Sequence, residues 1–125
     1  MKTLTKAEEE VMQSIWKLGE GTMGQIYDSL RDEKPAYNTI ASIVRILEKK
    51  GFVDHKAYGR VFVYFPLVSK EEYSKNFIKS FVNRYFDKSL KKLISAFSDD
   101  SLSIEELQQL EEYINSLIQK KKENE

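Results

Sequence analysis

Asn38, Ser42, Arg45 and Lys49 recur in the stretch YNTIASIVRILEKK at positions that one face of a helix would share. Together these residue types can do one kind of chemistry. Asparagine can pair bidentately with adenine and arginine with guanine, and hydroxyls suit either a base or a phosphate. Asn38 and Arg45 are therefore the candidate base readers, with Thr39 and Ser42 reaching a base or a phosphate. Ala41 presents no hydrogen-bonding side chain. It could meet a thymine methyl or let the backbone come close. Lys49 fits a phosphate, a contact that positions a protein without specifying sequence. An amphipathic helix commonly shows such a face to water alone, so spacing leaves both readings open.

The next segment, GFVDHKAYGRVFVYFP, places two apolar, β-leaning runs on either side of Gly59-Arg60 and reads as a β-hairpin. Lys56 and Arg60 would lie near its tip and suit phosphates, whereas Tyr58 fits either a wing contact or packing within the hairpin. His55 is the only histidine and there is no cysteine. A lone imidazole without thiolate partners makes a poor metal site, and no serine or carboxylate is spaced to make it a catalytic base. No catalytic residue, metal or cofactor is expected, and the chain does not read as an enzyme. His55 is expected to be a surface residue of the hairpin.

The elements that would position these residues are announced by their caps. Thr5-Lys6-Ala7-Glu8 matches a capping box. The helix behind it carries Ala7, Val11, Met12, Ile15, Trp16 and Leu18 as its apolar face and ends at Gly19. Thr22-Met23-Gly24-Gln25 opens a short second helix with Ile26, Tyr27 and Leu30. The third helix runs from Ala36 to Lys50 and stops at Gly51. Ile40, Ile43, Val44 and Leu47 form its inner face, with Ile46 near the boundary. Three helices followed by a hairpin make a winged helix-turn-helix, whose third helix enters a major groove.

Past Pro66 the character changes. Ser69-Lys70-Glu71-Glu72 is another capping box, followed by a helical stretch rich in aromatics from Tyr73 to Phe97. Ser98-Asp99-Asp100-Ser101 breaks the pattern, and Ser103-Ile104-Glu105-Glu106 caps a last helix. Tyr73, Phe77, Phe81, Tyr85, Leu93 and Phe97, with Leu107, Leu110, Ile114 and Leu117 at heptad-like spacing, exceed what one helix pair of this size can bury. They are read as the core of a homodimer; a ligand cleft between helices is the alternative. The expected fold is mainly α with a small β-hairpin wing. Residues 1–68 form the winged-helix DNA-binding domain and 69–125 the helical dimerisation region.

Composition agrees. The net charge over 125 residues is zero, but Lys34 to Phe65 hold six basic residues against two acidic ones, whereas 71–125 hold nine basic and eleven acidic. A basic island in the middle suits a nucleic-acid contact. No apolar run approaches the ~20 residues of a membrane span, and MKTLTKAEEE lacks a signal peptide's apolar segment. A cytoplasmic protein with no membrane insertion is expected.

The stretches LTKAEEEVMQSIWKLGEGTMGQIYDSL and YNTIASIVRILEKKGFVDHKAYGRVFVYFPLVSKEEY, with the C-terminal helices, resemble the penicillinase-repressor family of bacteria, the BlaI/MecI type that also includes the copper-responsive CopY repressors. The resemblance covers nearly the whole chain. It implies a homodimeric winged-helix repressor that binds a palindromic double-stranded DNA operator, of antibiotic-resistance or stress genes. It further implies relief by a membrane sensor with a metalloprotease domain, whose signal leads to cleavage at a point falling at Ala96-Phe97. The segment around Asn38, Thr39, Ala41 and Ser42 falls where relatives touch bases. Many members carry an arginine at the place of Ile46, whereas here it stands one position earlier, at Arg45. The residue before the phenylalanine of the cleavage point is often Asn and is Ala96 here. A thiolate switch of the CopY kind needs cysteines, which this sequence lacks. Two rival readings stay open: a winged helix that binds proteins, and a DNA-binding regulator switched by a ligand in its helical half.

Overall fold

The structure is a computed structural model that describes residues 3–97 and 101–125. In chain order it contains α1 (Lys6–Leu18), β1 (Gly21–Thr22), α2 (Met23–Ser29), α3 (Tyr37–Lys49), β2 (Val53–Tyr58), β3 (Val61–Pro66), α4 (Lys70–Tyr85), α5 (Leu90–Ser95) and α6 (Ile104–Glu123). Two compact units divide the chain, 1–78 and 79–125, and the division falls within α4.

Three of the four expected capping boxes close in both directions, and at the fourth Ser69 accepts from the Glu72 amide at 3.0 Å. Thr5 and Glu8 close a reciprocal box at the start of α1, as do Thr22 and Gln25 at α2 and Ser103 and Glu106 at α6. Each box satisfies two amides that a helix N-terminus would otherwise leave without partners. Gly19 and Gly51 end α1 and α3 at φ values of 80° and 86°, a backbone region where a side chain on Cβ would be strained.

In the first unit, Val11, Met12 and Ile15 of α1 pack with Ile26, Ile40, Val44 and Leu47, and with Phe52, Val53 and Tyr64 at the base of the sheet. Ala7 and Leu18, expected on the inner face of α1, are exposed. The residue that completes this core from outside the expected domain is Tyr73. It is 7% exposed, its hydroxyl accepts from the Leu4 amide at 3.0 Å, and its ring lies 5.9 Å from Trp16 and 5.8 Å from Phe52. Trp16 in turn donates from Nε1 to the Val68 carbonyl at 2.8 Å. The change of composition at 68/69 is therefore not where the packing ends: the start of α4 belongs to the winged-helix unit, and Tyr73 is core there.

Lys50 is turned into the fold as well. Its ammonium lies 2.7 and 2.8 Å from the two Glu8 oxygens and ties the end of α3 to the start of α1. Burial pushes the Glu8 carboxyl up, but Lys50 and the Thr5 hydrogen bonds outweigh it and hold the pKa below its usual 4.5. Such a group adds stability that is present above its unfolded pKa and is lost as pH falls through the lower, folded one. Lys50→Met removes the counter-charge and leaves burial opposed by the Thr5 hydrogen bonds alone, so the Glu8 pKa should rise from its lowered position. Breaking a buried pair costs on the order of 3 kcal/mol; because the Lys50 side chain keeps 24% exposure, about 2 kcal/mol is expected at pH 7. The gap from wild type should narrow as urea unfolding is repeated from about pH 7 down to about pH 4, where the orphaned carboxyl takes up its proton. A gap that stays constant would show that charge plays no part.

The second unit departs from one continuous aromatic helix. Asp87 and Lys88 take φ values of 50° and 64°, and the Phe86 and Lys88 amides both donate to the Val82 carbonyl, at 3.0 and 3.2 Å. That closes α4 early, and Ser89 restarts the chain as α5 by accepting from the Lys92 amide at 3.1 Å. The Phe81 ring lies 5.1 and 5.7 Å from the rings of Tyr85 and Phe86, tilted against both. Neither α5 nor α6 has a buried residue. Of the expected linker, Ser98, Asp99 and Asp100 lie outside the described residues.

Candidate nucleic-acid interface

An α-helix turns by about 100° per residue, which places Arg45, Asn38, Lys49, Ser42, Ile46 and Thr39, in that order, on an arc of about 120°. All six are exposed in α3, while Ile40, Val44 and Leu47 are buried on the far side. Asn38, Thr39, Ser42, Arg45 and Lys49 thus share the face that spacing assigned to them. Ser42 donates its hydroxyl hydrogen to the Asn38 carbonyl at 3.0 Å, so its oxygen faces outward mainly as an acceptor. Ile46 is 44% exposed and stands next to the end of this arc, beside Thr39, near the boundary where periodicity placed it. Ala41 does not belong to it. At 3% exposure its methyl is covered, because the helical turn carries it to the side where α3 meets the sheet and the start of α2.

The wing is held by more than its own hairpin. β2 and β3 pair antiparallel from Val53↔Pro66 to Tyr58↔Val61, and Gly59 opens the two-residue turn at φ 65°, as hairpin loops of this length require. β3 also pairs on its other edge with β1, through Gly21↔Tyr64 and Thr22↔Val63. Thr22 is both a strand residue and the cap of α2. The root of the wing is thereby fixed to the helix-turn-helix, and a two-residue strand carries no sequence pattern that could announce it.

Lys56, Tyr58 and Arg60 are exposed along the wing. Tyr58, at 62% exposure, projects from the hairpin and contributes little to packing it. Lys56 lies over the Phe65 ring at 5.6 Å. Arg45 of α3 and Arg60 of the wing line one open cleft of about 340 Å³ together with Tyr37 and Phe62. Two members of the basic island are engaged elsewhere: Lys50 with Glu8, and Lys34 with the Tyr27 carbonyl at 2.9 Å and the Tyr27 ring at 4.3 Å. Arg45, Lys49, Lys56 and Arg60 remain as exposed cations on α3 and the wing.

His55 has a role that sequence reasoning missed. Its Nδ1 lies 2.8 Å from a Glu48 oxygen and its ring stacks on Phe62 at 4.3 Å. The half-buried imidazole joins the last turn of α3 to the wing, instead of standing on the hairpin surface. With Asp54 these groups bring three donor atoms within 4.8 Å of one another. No periodic signal links positions 48 and 55, because the pairing crosses from a helix end to a strand. Burial, reinforced by the nearby Glu48 charge, pushes the Tyr64 hydroxyl above its usual range, so that side chain stays neutral at the base of the wing.

No helix among the described residues is long and apolar enough to cross a membrane. The penicillinase repressor family model matches residues 4–116. The chain is 32% identical over 122 residues to the penicillinase repressor of Bacillus licheniformis, covering 96% of this chain and 95% of that one. It is 28% identical over 114 residues to the methicillin resistance regulatory protein MecI of Staphylococcus aureus strain N315, covering 90% and 93%. The solution structure of the DNA-binding domain of the repressor BlaI superposes with a TM-score of 0.51 at 34% identity, over 58% of this chain and 94% of that one. The shared architecture is the winged helix, and the chain belongs to the penicillinase repressor family, a family of transcriptional repressors and not of enzymes.

Proposed function

We propose that this protein is a DNA-binding repressor that acts as a homodimer on a palindromic operator, with α3 of each copy in a major groove and each wing beside the phosphate backbone. The observation that carries the reading is the exposed arc of α3, where Asn38, Ser42, Arg45 and Lys49 stand beside the wing cations Lys56 and Arg60. The similarity to BlaI and MecI supports it. Dimerisation is supported by α6, where Leu107, Leu110, Ile114 and Leu117 are 40–52% exposed along one stripe. A helix with such a stripe and no buried residue has its natural complement in a second helix of the same kind. Of the residues first assigned to that interface, Phe81, Tyr85, Leu93 and Phe97 lie in the second unit, whereas Tyr73 and Phe77 lie in the first. The regulated genes would be those of antibiotic resistance or a related stress. Relief would come from a sensor-triggered signal, with the Ala96–Phe97 bond, exposed at the end of α5, as the point of cleavage.

Fluorescence anisotropy against duplex DNA from upstream of the protein's own gene tests the reading, with a scrambled duplex alongside and salt varied. The expected result is binding by two chains per duplex that prefers the upstream site. Affinity should fall with added salt by about 0.9 logarithmic units per neutralised phosphate for each tenfold increase. Equal affinity for both duplexes at every salt concentration would remove sequence recognition from the upstream site. Absence of binding at low salt would turn the winged helix into a protein-binding surface.

A further inference from the structure

We propose that Ile46 reads a thymine methyl group in the major groove, as the apolar member of an otherwise polar base-reading face. The inference rests on the DNA-binding reading above and names a determinant of its specificity. Ile46 is 44% exposed and follows Thr39 by seven residues and Ser42 by four, while Lys49 follows it by three, so its neighbours on both sides of the arc are polar. The core side of α3 is already filled by Ile40, Val44 and Leu47, each no more than 2% exposed. Ile46 therefore contributes no buried contact to the core of the unit.

The chemistry of the groove limits what an isoleucine can read there. Every base edge in the major groove offers donors or acceptors, but thymine alone of the four common bases also offers a methyl group. Isoleucine has neither donor nor acceptor, so it cannot improve contact with guanine, cytosine or adenine edges, and facing them it would strip water from polar groups without replacing it. Against a C5 methyl it gains the ordinary free energy of apolar burial. Its β-branched side chain has one strongly preferred rotamer on a helix, so little entropy is lost in the contact. The adjacent Arg45 lies about 100° around the helix. The two side chains thus address different base pairs, and the thymine should lie within about two base steps of the guanine that Arg45 contacts.

The test uses the full chain and the tightest-binding duplex, either the upstream site or one recovered by selection from random DNA. Each thymine is replaced in turn by deoxyuridine, which removes the methyl and keeps every hydrogen-bonding group. Wild type should show one symmetry-related pair of sensitive positions, each replacement costing about fourfold in affinity, the equivalent of one buried methyl. Ile46→Ala should bind the unmodified duplex about fourfold more weakly per half-site and lose its sensitivity at those same positions. Ile46→Val should fall between, which guards against a folding defect in the alanine variant. Two results would overturn the assignment: no position at which wild type distinguishes thymine from deoxyuridine, or an undiminished deoxyuridine penalty in Ile46→Ala, which would give the methyl to another side chain. Failure to recover any preferred duplex would instead overturn the DNA-binding reading itself, and the two failures are told apart by the unmodified duplex alone.

Discussion

Leu110→Glu together with Ile114→Glu should convert the protein to a monomer and lower its affinity for a palindromic operator by about 10²- to 10⁴-fold, the avidity that linking two half-site contacts supplies. The reasoning starts from exposure. In a single chain these side chains are 40% and 52% exposed, and α6 has no buried residue. A carboxylate at either position is tolerated by the monomer, where it meets water, but two copies facing each other would set like charges into an apolar seam. The winged-helix unit should stay folded, because its core is drawn from residues up to Tyr73. Trp16, the only tryptophan, sits against that core and reports on it through its fluorescence. Sedimentation equilibrium gives the mass and anisotropy the affinity. A double variant that keeps dimer mass and full affinity would place the interface on another surface.

Arg45→Ala is expected to have the second largest effect. A bidentate arginine–guanine pair is worth about 1–3 kcal/mol of discrimination, and a dimer loses it twice, so affinity for the preferred operator should fall roughly 30-fold to 10⁴-fold. Discrimination at one base pair per half-site should relax at the same time. Lys49→Ala and Arg60→Ala should behave differently. They should weaken preferred and scrambled duplexes in similar proportion and reduce the salt slope by about 1 per half-site. The contrast follows from chemistry and placement: all three are exposed, but Arg45 lies in the body of α3 and its guanidinium can pair bidentately with guanine, whereas Lys49, on the same face, sits at the last residue of the helix and Arg60 at the wing tip, where phosphates are the expected partners. Uniform loss from all three substitutions, with sequence preference intact, would make Arg45 a phosphate contact.

Most local elements of this protein, though not β1 or the break between α4 and α5, were legible in its sequence alone. The capping boxes at Thr5, Thr22 and Ser103, the terminating Gly19 and Gly51, and the alternation on either side of Gly59 all act between residues a few positions apart, so each carries its signal in a short string. The exposed face of α3 was legible for the same reason: helical periodicity separates Arg45 from Leu47 without reference to the rest of the chain. Tertiary structure decided everything that depends on residues distant in sequence. Tyr73 joins the winged-helix core because Leu4, Trp16 and Phe52 close around it, and a tyrosine in an aromatic-rich helix looks the same whichever unit it serves. Lys50 leaves the basic island because Glu8, 42 positions earlier in the chain, lies within reach at the start of α1. Ala41 turns inward where the wing root, β1 and α3 converge, although Tyr37 and Arg45, one turn away on either side, stay exposed. The exposure of Ile46 and the pairing of His55 escaped the sequence for a related cause. An isoleucine at the edge of a polar face can be buried or exposed, and a histidine in a hairpin is intermediate in its preference, until packing settles which side chains surround them. Periodicity states which residues share a face; only the packed chain determines what that face meets.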